Sequence, residues 1–96
     1  MNYSALDRGE AVRNGEPVGT AVARFVDELR AWRGRQGWSQ AEVGEKLGYS
    51  GSHVSNIETM TRPATGDFAK ACDRVFGTPG TFERLQDDIN KEAYPP

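Results

Sequence analysis

Apolar residues along the chain fall into clusters with helical spacing. Val22, Phe25, Val26, Leu29 and Trp32 recur at steps of three and four. They mark one face of an amphipathic helix from roughly Thr20 to Arg35. Gly34 and Gly37 are its expected stop. Val43 and Leu47 lie one turn apart on a second, shorter helix. Val54 and Ile57 are the apolar pair of a third, from Gly51 to roughly Thr59. Phe68, Ala69, Cys72, Val75 and Phe76 line a fourth, and Phe82, Leu85 and Ile89 a fifth. No segment alternates apolar and polar residues as a half-buried strand does. Before Thr20 no apolar period holds: residues 1–19 carry three glycines, Pro17 and scattered charges. That stretch reads as a loose N-terminal arm with a short helical piece around Ala5–Arg13. Residues 94–96 read as a tail.

Start and stop signals sharpen these boundaries. Ser39-Gln40-Ala41-Glu42 is a capping box, in which the Ser39 hydroxyl and the Glu42 carboxylate exchange backbone N–H partners. Gly48 ends the second helix, where a positive φ costs a glycine little. Ser50 caps the third helix and Thr65 the fourth, with Asp67 complementing the dipole in its first turn. Gly77 stops the fourth. Thr78-Pro79 reads as a cap followed by proline at the first helical position. The expectation is an all-α chain of five short helices.

A chain of 96 residues builds one modest core, here spanning 20–93. The only cysteine, Cys72, has no disulfide partner and no metal-ligand spacing with the only histidine, His53. A reduced, cytoplasmic setting fits, with no metal or cofactor. No apolar run approaches the roughly 20 residues needed to cross a bilayer, and no leader opens the chain. Cys72 in the apolar stripe reads as a small buried hydrophobe. Trp32 and Trp38 read as packing residues, and Tyr49 as packing against the first helix. His53 at the edge of the packed face reads as facing backbone or phosphate. Nothing marks an enzyme.

Residues 38–59 carry the functional signal. Two helices joined by Gly48-Tyr49-Ser50 have the length and turn chemistry of a helix-turn-helix. The polar side of the third helix shows Gly51, Ser52, Ser55, Asn56 and Thr59, all small or short. A major groove about 12 Å wide admits such a helix, and an asparagine amide pairs bidentately with adenine. Gln40 opens the second helix, where free N–H groups favour phosphate. Arg33, Arg35 and Arg62 flank the unit; with Gln40, Ser50 and His53 they are the candidate phosphate contacts. The net charge of −2 opposes nucleic-acid binding when read globally. The distribution qualifies this, because Arg24, Arg30, Arg33 and Arg35 crowd the first helix while Glu83, Asp87, Asp88 and Glu92 lie in the fifth. Periodicity alone also fits generic helix packing.

The run Gly37-Trp38-Ser39-Gln40-Ala41-Glu42-Val43-Gly44-Glu45-Lys46-Leu47-Gly48-Tyr49-Ser50, then His53-Val54-Ser55-Asn56-Ile57-Glu58, resembles the Cro/C1-type (XRE) helix-turn-helix family. A wider pattern through Phe25–Arg33, Thr65–Phe68, Cys72-Asp73, Phe76-Gly77-Thr78-Pro79-Gly80 and Phe82-Leu85 is similar to the N-terminal domain of actinobacterial regulators. The resemblance covers about Ala21 to Leu85. It implies a five-helix, lambda-repressor-like fold, phosphate contact at Gln40 and base contact along the third helix at Gly51, Ser52, Ser55 and Asn56. It also implies that Glu58 ties the end of that helix to backbone or an arginine. Double-stranded DNA and a second copy of the chain are the implied partners. A protein-interaction module such as an antitoxin or anti-regulator is the alternative, with a small protein partner. Three departures bear on this. Met60 stands where the family commonly has glycine, so a rearranged loop is expected there. Thr61 stands where basic residues are common. Gly51 replaces a longer polar side chain.

Overall fold

A computed structural model describes residues 20–93. The arm expected at 1–19, its helical piece around Ala5–Arg13 and the tail at 94–96 lie outside the described residues. The described residues form five α-helices and no strand, the all-α architecture the spacing predicts. They are α1 (Thr20–Gln36), α2 (Gln40–Leu47), α3 (Gly51–Glu58), α4 (Gly66–Phe76) and α5 (Thr81–Ala93). Helix α2 packs on α3, α1 on α5, and α4 on α5, with further contacts of α2 to α4 and α1 to α3.

Local capping sets most of the boundaries. The Ser39 hydroxyl accepts from the Glu42 N–H, and the Glu42 carboxylate accepts from the Ser39 N–H at 2.7 Å, so the capping box closes. Ser50 accepts from the His53 N–H, and Thr65 from the Phe68 N–H. Gly48 and Gly77 take the left-handed conformation as C-caps. Helix α1 corrects one expectation: it runs through Gly34 and stops only at Gly37, whose φ is 72°. Gly34 is an exposed helical residue, so nothing forces a break there.

The start of α5 is a second correction. Thr78 does not cap it, and Pro79 lies outside the helix, which begins at Thr81. The cap comes from α4 instead. The buried Asp73 carboxylate accepts from the N–H groups of Phe82 at 2.9 Å and Glu83 at 3.1 Å, and from the Thr78 hydroxyl. One carboxylate thus satisfies two orphan donors at a helix start, where its charge complements the dipole. At the other end of α5, Glu92 accepts from the Ala21 N–H in the first turn of α1.

The core is built from Phe25 and Leu29 of α1, Val43 and Leu47 of α2, Val54 and Ile57 of α3, Phe68, Ala69, Cys72 and Phe76 of α4, and Phe82 of α5. Full burial of each large apolar side chain contributes roughly 1.5–3 kcal/mol. Cys72 is fully buried as expected; burial first, and the neighbouring Asp73 charge second, push its thiol far above the ordinary range. Val22 is only half-buried, and Ala21 occupies the inner position instead. Phe76 stacks on both tryptophans, at 5.8 Å from Trp32 and 5.9 Å from Trp38. Those two rings bracket the α1–α2 link and clamp it to α4, the packing role the sequence suggested. Among the described residues no helix is long and apolar enough to cross a membrane.

Candidate nucleic-acid interface

Helices α2 and α3 approach closely because two glycines permit it. Gly44 is buried in the middle of α2, and a Cβ there would lie 2.9 Å from the carbonyl oxygens of Tyr49 and Ser50. Only a residue without a side chain lets the inter-helix turn cross at that distance. Gly51 faces Ala41, where a Cβ would meet its Cα at 3.0 Å. Gly51 therefore belongs to the α2–α3 contact; its assignment to the outward polar face is corrected. The helical-wheel reading failed here because the first turn of α3 is the part pressed against α2.

Behind α3 the unit is locked by a buried charge. Glu58 is 4% exposed. Its carboxylate accepts from Arg33 Nε at 2.8 Å and Nη2 at 2.9 Å, and from Gln40 Nε2 at 3.0 Å. The remaining terminal nitrogen of Arg33, Nη1, donates to the Trp38 carbonyl at 3.1 Å. A planar guanidinium suits such a fork, and buried carboxylates persist only when paired. This is the tie of Glu58 to an arginine that the resemblance implied, and it joins α1, α2 and α3. Two candidate phosphate contacts, Arg33 and Gln40, thereby have side-chain donors engaged inside the domain. Arg35 lies over the Trp32 ring at 4.6 Å, and Lys46 over Trp38 at 4.7 Å.

The outward surface of α3 carries Ser52 and Asn56, both exposed, with Ser55 half-buried beside them. Ser50 spends its hydroxyl on the α3 cap. Thr59, the C-cap residue, turns its hydroxyl back to the carbonyls of Ser55 at 3.0 Å and Asn56 at 3.2 Å. Its methyl stays available to a partner, but its hydroxyl serves the helix end.

The loop after α3 keeps the turn that a glycine would make. Met60 adopts φ 63°, the only positive φ at a non-glycine among the described residues. Its N–H donates to Ile57 O, and the Thr61 N–H to Asn56 O, the paired bonds of a Schellman ending. The expected rearrangement does not occur; Met60 takes the strained conformation, with its side chain 54% exposed. The helix end demands a left-handed residue, and the bonds it closes outweigh the strain.

A family model described as a helix-turn-helix domain matches residues 24–85. The chain belongs to this helix-turn-helix family. No curated protein and no solved structure matches it. The matched span begins in α1 and ends in α5, so it takes in the supporting helices as well as the two-helix unit. Family membership makes DNA the expected ligand.

Tyr49 and His53 pack together at the edge of the core. Tyr49 packs on His53 at 4.6 Å and edge-on to Phe68 at 5.1 Å. His53 also lies against Phe68 at 5.8 Å, and Arg62 Nη1 donates to its Nδ1 at 2.9 Å. Gly44 and Asp73 enter the sequence reading only within the family pattern, and neither is given a role there. A glycine inside an amphipathic helix was the available signal for Gly44. Asp73 offered none, since its partners lie nine and ten residues away on another helix.

Proposed function

We propose that the chain is the sequence-specific DNA-reading domain of a transcription regulator of the Cro/C1 type, with α3 lying in the major groove. The observation that carries this is the construction of the α2–α3 unit. A rigid back, held by Gly44, Gly51 and the Glu58–Arg33 pair, supports an outward face of short polar side chains. Ser52, Ser55 and Asn56 read base edges, and Asn56 supplies a bidentate amide for adenine. Gln40 at the start of α2, with Arg35 and Arg62 at the flanks, fixes register on phosphates. So short a list of base contacts favours a homodimer, with half-sites about 34 Å apart or a multiple of that.

The test is selection of duplexes from a random pool, followed by titration at two salt concentrations. Asn56→Ala should relax sequence preference, by roughly 1–3 kcal/mol of lost discrimination at one base pair. Gln40→Ala should weaken binding to all duplexes about equally. A pool with no enriched sequence would sink specific recognition and favour the protein-interaction alternative.

A further inference from the structure

Helix α3 has no lysine or arginine, and its one charged side chain, Glu58, is buried and matched. Any cation on the reading face must come from outside the helix. Arg62 is exposed and is strapped back along α3 at two points. Its backbone N–H donates to Asn56 O at 3.2 Å, and its guanidinium reaches His53 Nδ1 at 2.9 Å. The left-handed turn at Met60 is what reverses the chain and makes this return possible.

His53 is built to receive it. Its ring stacks on Tyr49 at 4.6 Å and lies tilted against Phe68 at 5.8 Å. A guanidinium has donors and no acceptor, so Nδ1 must offer its lone pair, which assigns the ring proton to Nε2. That nitrogen is enclosed and has no hydrogen-bond partner. A phenyl ring would fill the same slot without burying an unsatisfied N–H. The arrangement therefore favours histidine for its Nδ1 acceptor and not for its bulk.

We infer that His53 is a positioning residue that holds the Arg62 guanidinium beside the first turn of α3, where its remaining N–H donors face a DNA phosphate. The inference rests on the DNA-reading proposal and specifies how this cation is preorganised. Holding the guanidinium in the free protein lowers the ordering cost at binding.

The experiment measures duplex affinity of the full chain over a salt series, using the duplex enriched from the pool. His53→Phe keeps the ring and removes the acceptor; Arg62→Ala removes the cation. Each should weaken binding roughly threefold to tenfold and make the log–log salt slope shallower by about one. The double variant should lose no more than either single one. His53→Asn, whose amide oxygen reaches about where Nδ1 sits, should recover most of the loss. Nitrogen NMR of the wild type should find the His53 proton on Nε2, a readout independent of whether any variant folds. An Nδ1-protonated ring, additive losses in the double variant, or no loss with His53→Phe would each overturn the inference. If the wild type binds its selected duplex and Arg62→Ala leaves the slope intact, this inference falls while the reading helix stands. If no sequence is enriched for the wild type, both fall.

Discussion

Replacing Glu58 by leucine should be among the most damaging single changes in the α2–α3 unit. The Glu58 side chain is 2% exposed and that of its partner Arg33 is 21% exposed. Three hydrogen bonds converge on the carboxylate, two from Arg33 and one from Gln40. Breaking a buried pair from one side costs 3–5 kcal/mol, because the other charge is left uncompensated. Arg33 keeps some access to water, which places the expected loss near the low end, about 3 kcal/mol. Whole domains have only about 5–15 kcal/mol of stability. In a domain of this size each kcal/mol shifts Tm by roughly 4–8 °C, so Tm should fall by about 12–24 °C. Removing both charges is a different matter. A well-packed apolar replacement of a whole buried pair is often neutral, so Arg33→Met with Glu58→Leu should lie within about 1 kcal/mol of the wild type. Thermal and urea unfolding of the wild type, both single variants and the double one measure this coupling. A single-variant loss below about 1 kcal/mol, or a double variant that shows the sum of the two single losses, would refute the reasoning. The same double variant separates the two roles open to Arg33. A wild-type salt slope on DNA would make the arginine purely structural, and a slope shallower by about one would give it a phosphate as well.

Three further outcomes follow from single positions. Gly44→Ala forces a methyl to within 2.9 Å of two backbone carbonyls, so it should lose about 2–3 kcal/mol in urea unfolding and lower duplex affinity by displacing α3 against α2. Met60→Gly relieves the left-handed strain at φ 63° and should raise stability by about 0.5–1 kcal/mol in thermal unfolding, the gain being reduced by the greater freedom of glycine in the unfolded chain. An unchanged or lower Tm would mean that the strain relieved does not exceed what glycine's freedom in the unfolded chain costs. Asp73→Ala strands the N–H groups of Phe82 and Glu83 and should cost about 2–3 kcal/mol, whereas Asp73→Asn, which keeps one oxygen, should lose about half as much by the same assay.

The helices and most of their ends were legible in the amino-acid sequence because the physics that sets them is local. A serine at a helix start three residues before a glutamate closes a capping box by local chemistry, and Gly48 and Gly77 accept a left-handed φ without help from the rest of the fold. Apolar residues at three- and four-residue steps likewise found the inner faces of all five helices, with Val22 the misplaced exception. The two-helix unit was recognisable for the same reason, its signals lying within about 20 consecutive residues. What only the tertiary structure decided is how polar groups far apart in sequence meet. Arg33 and Glu58 are 25 residues apart, and nothing in their spacing distinguishes a phosphate anchor from half of a buried pair. Asp73 caps α5 from α4, which displaced the expected Thr78 cap because a carboxylate fixed on a packed helix reaches two N–H groups at once. Gly51 turned from the reading face to the α2 contact, since the approach of two backbones depends on how the helices cross and not on their periodicity. Sequence therefore determined that α2 and α3 exist and which side of each is apolar. Packing decided which of the remaining polar groups face outward, because burial makes a charge find a partner and leaves only unpaired groups such as Asn56 and Ser52 free to meet another molecule.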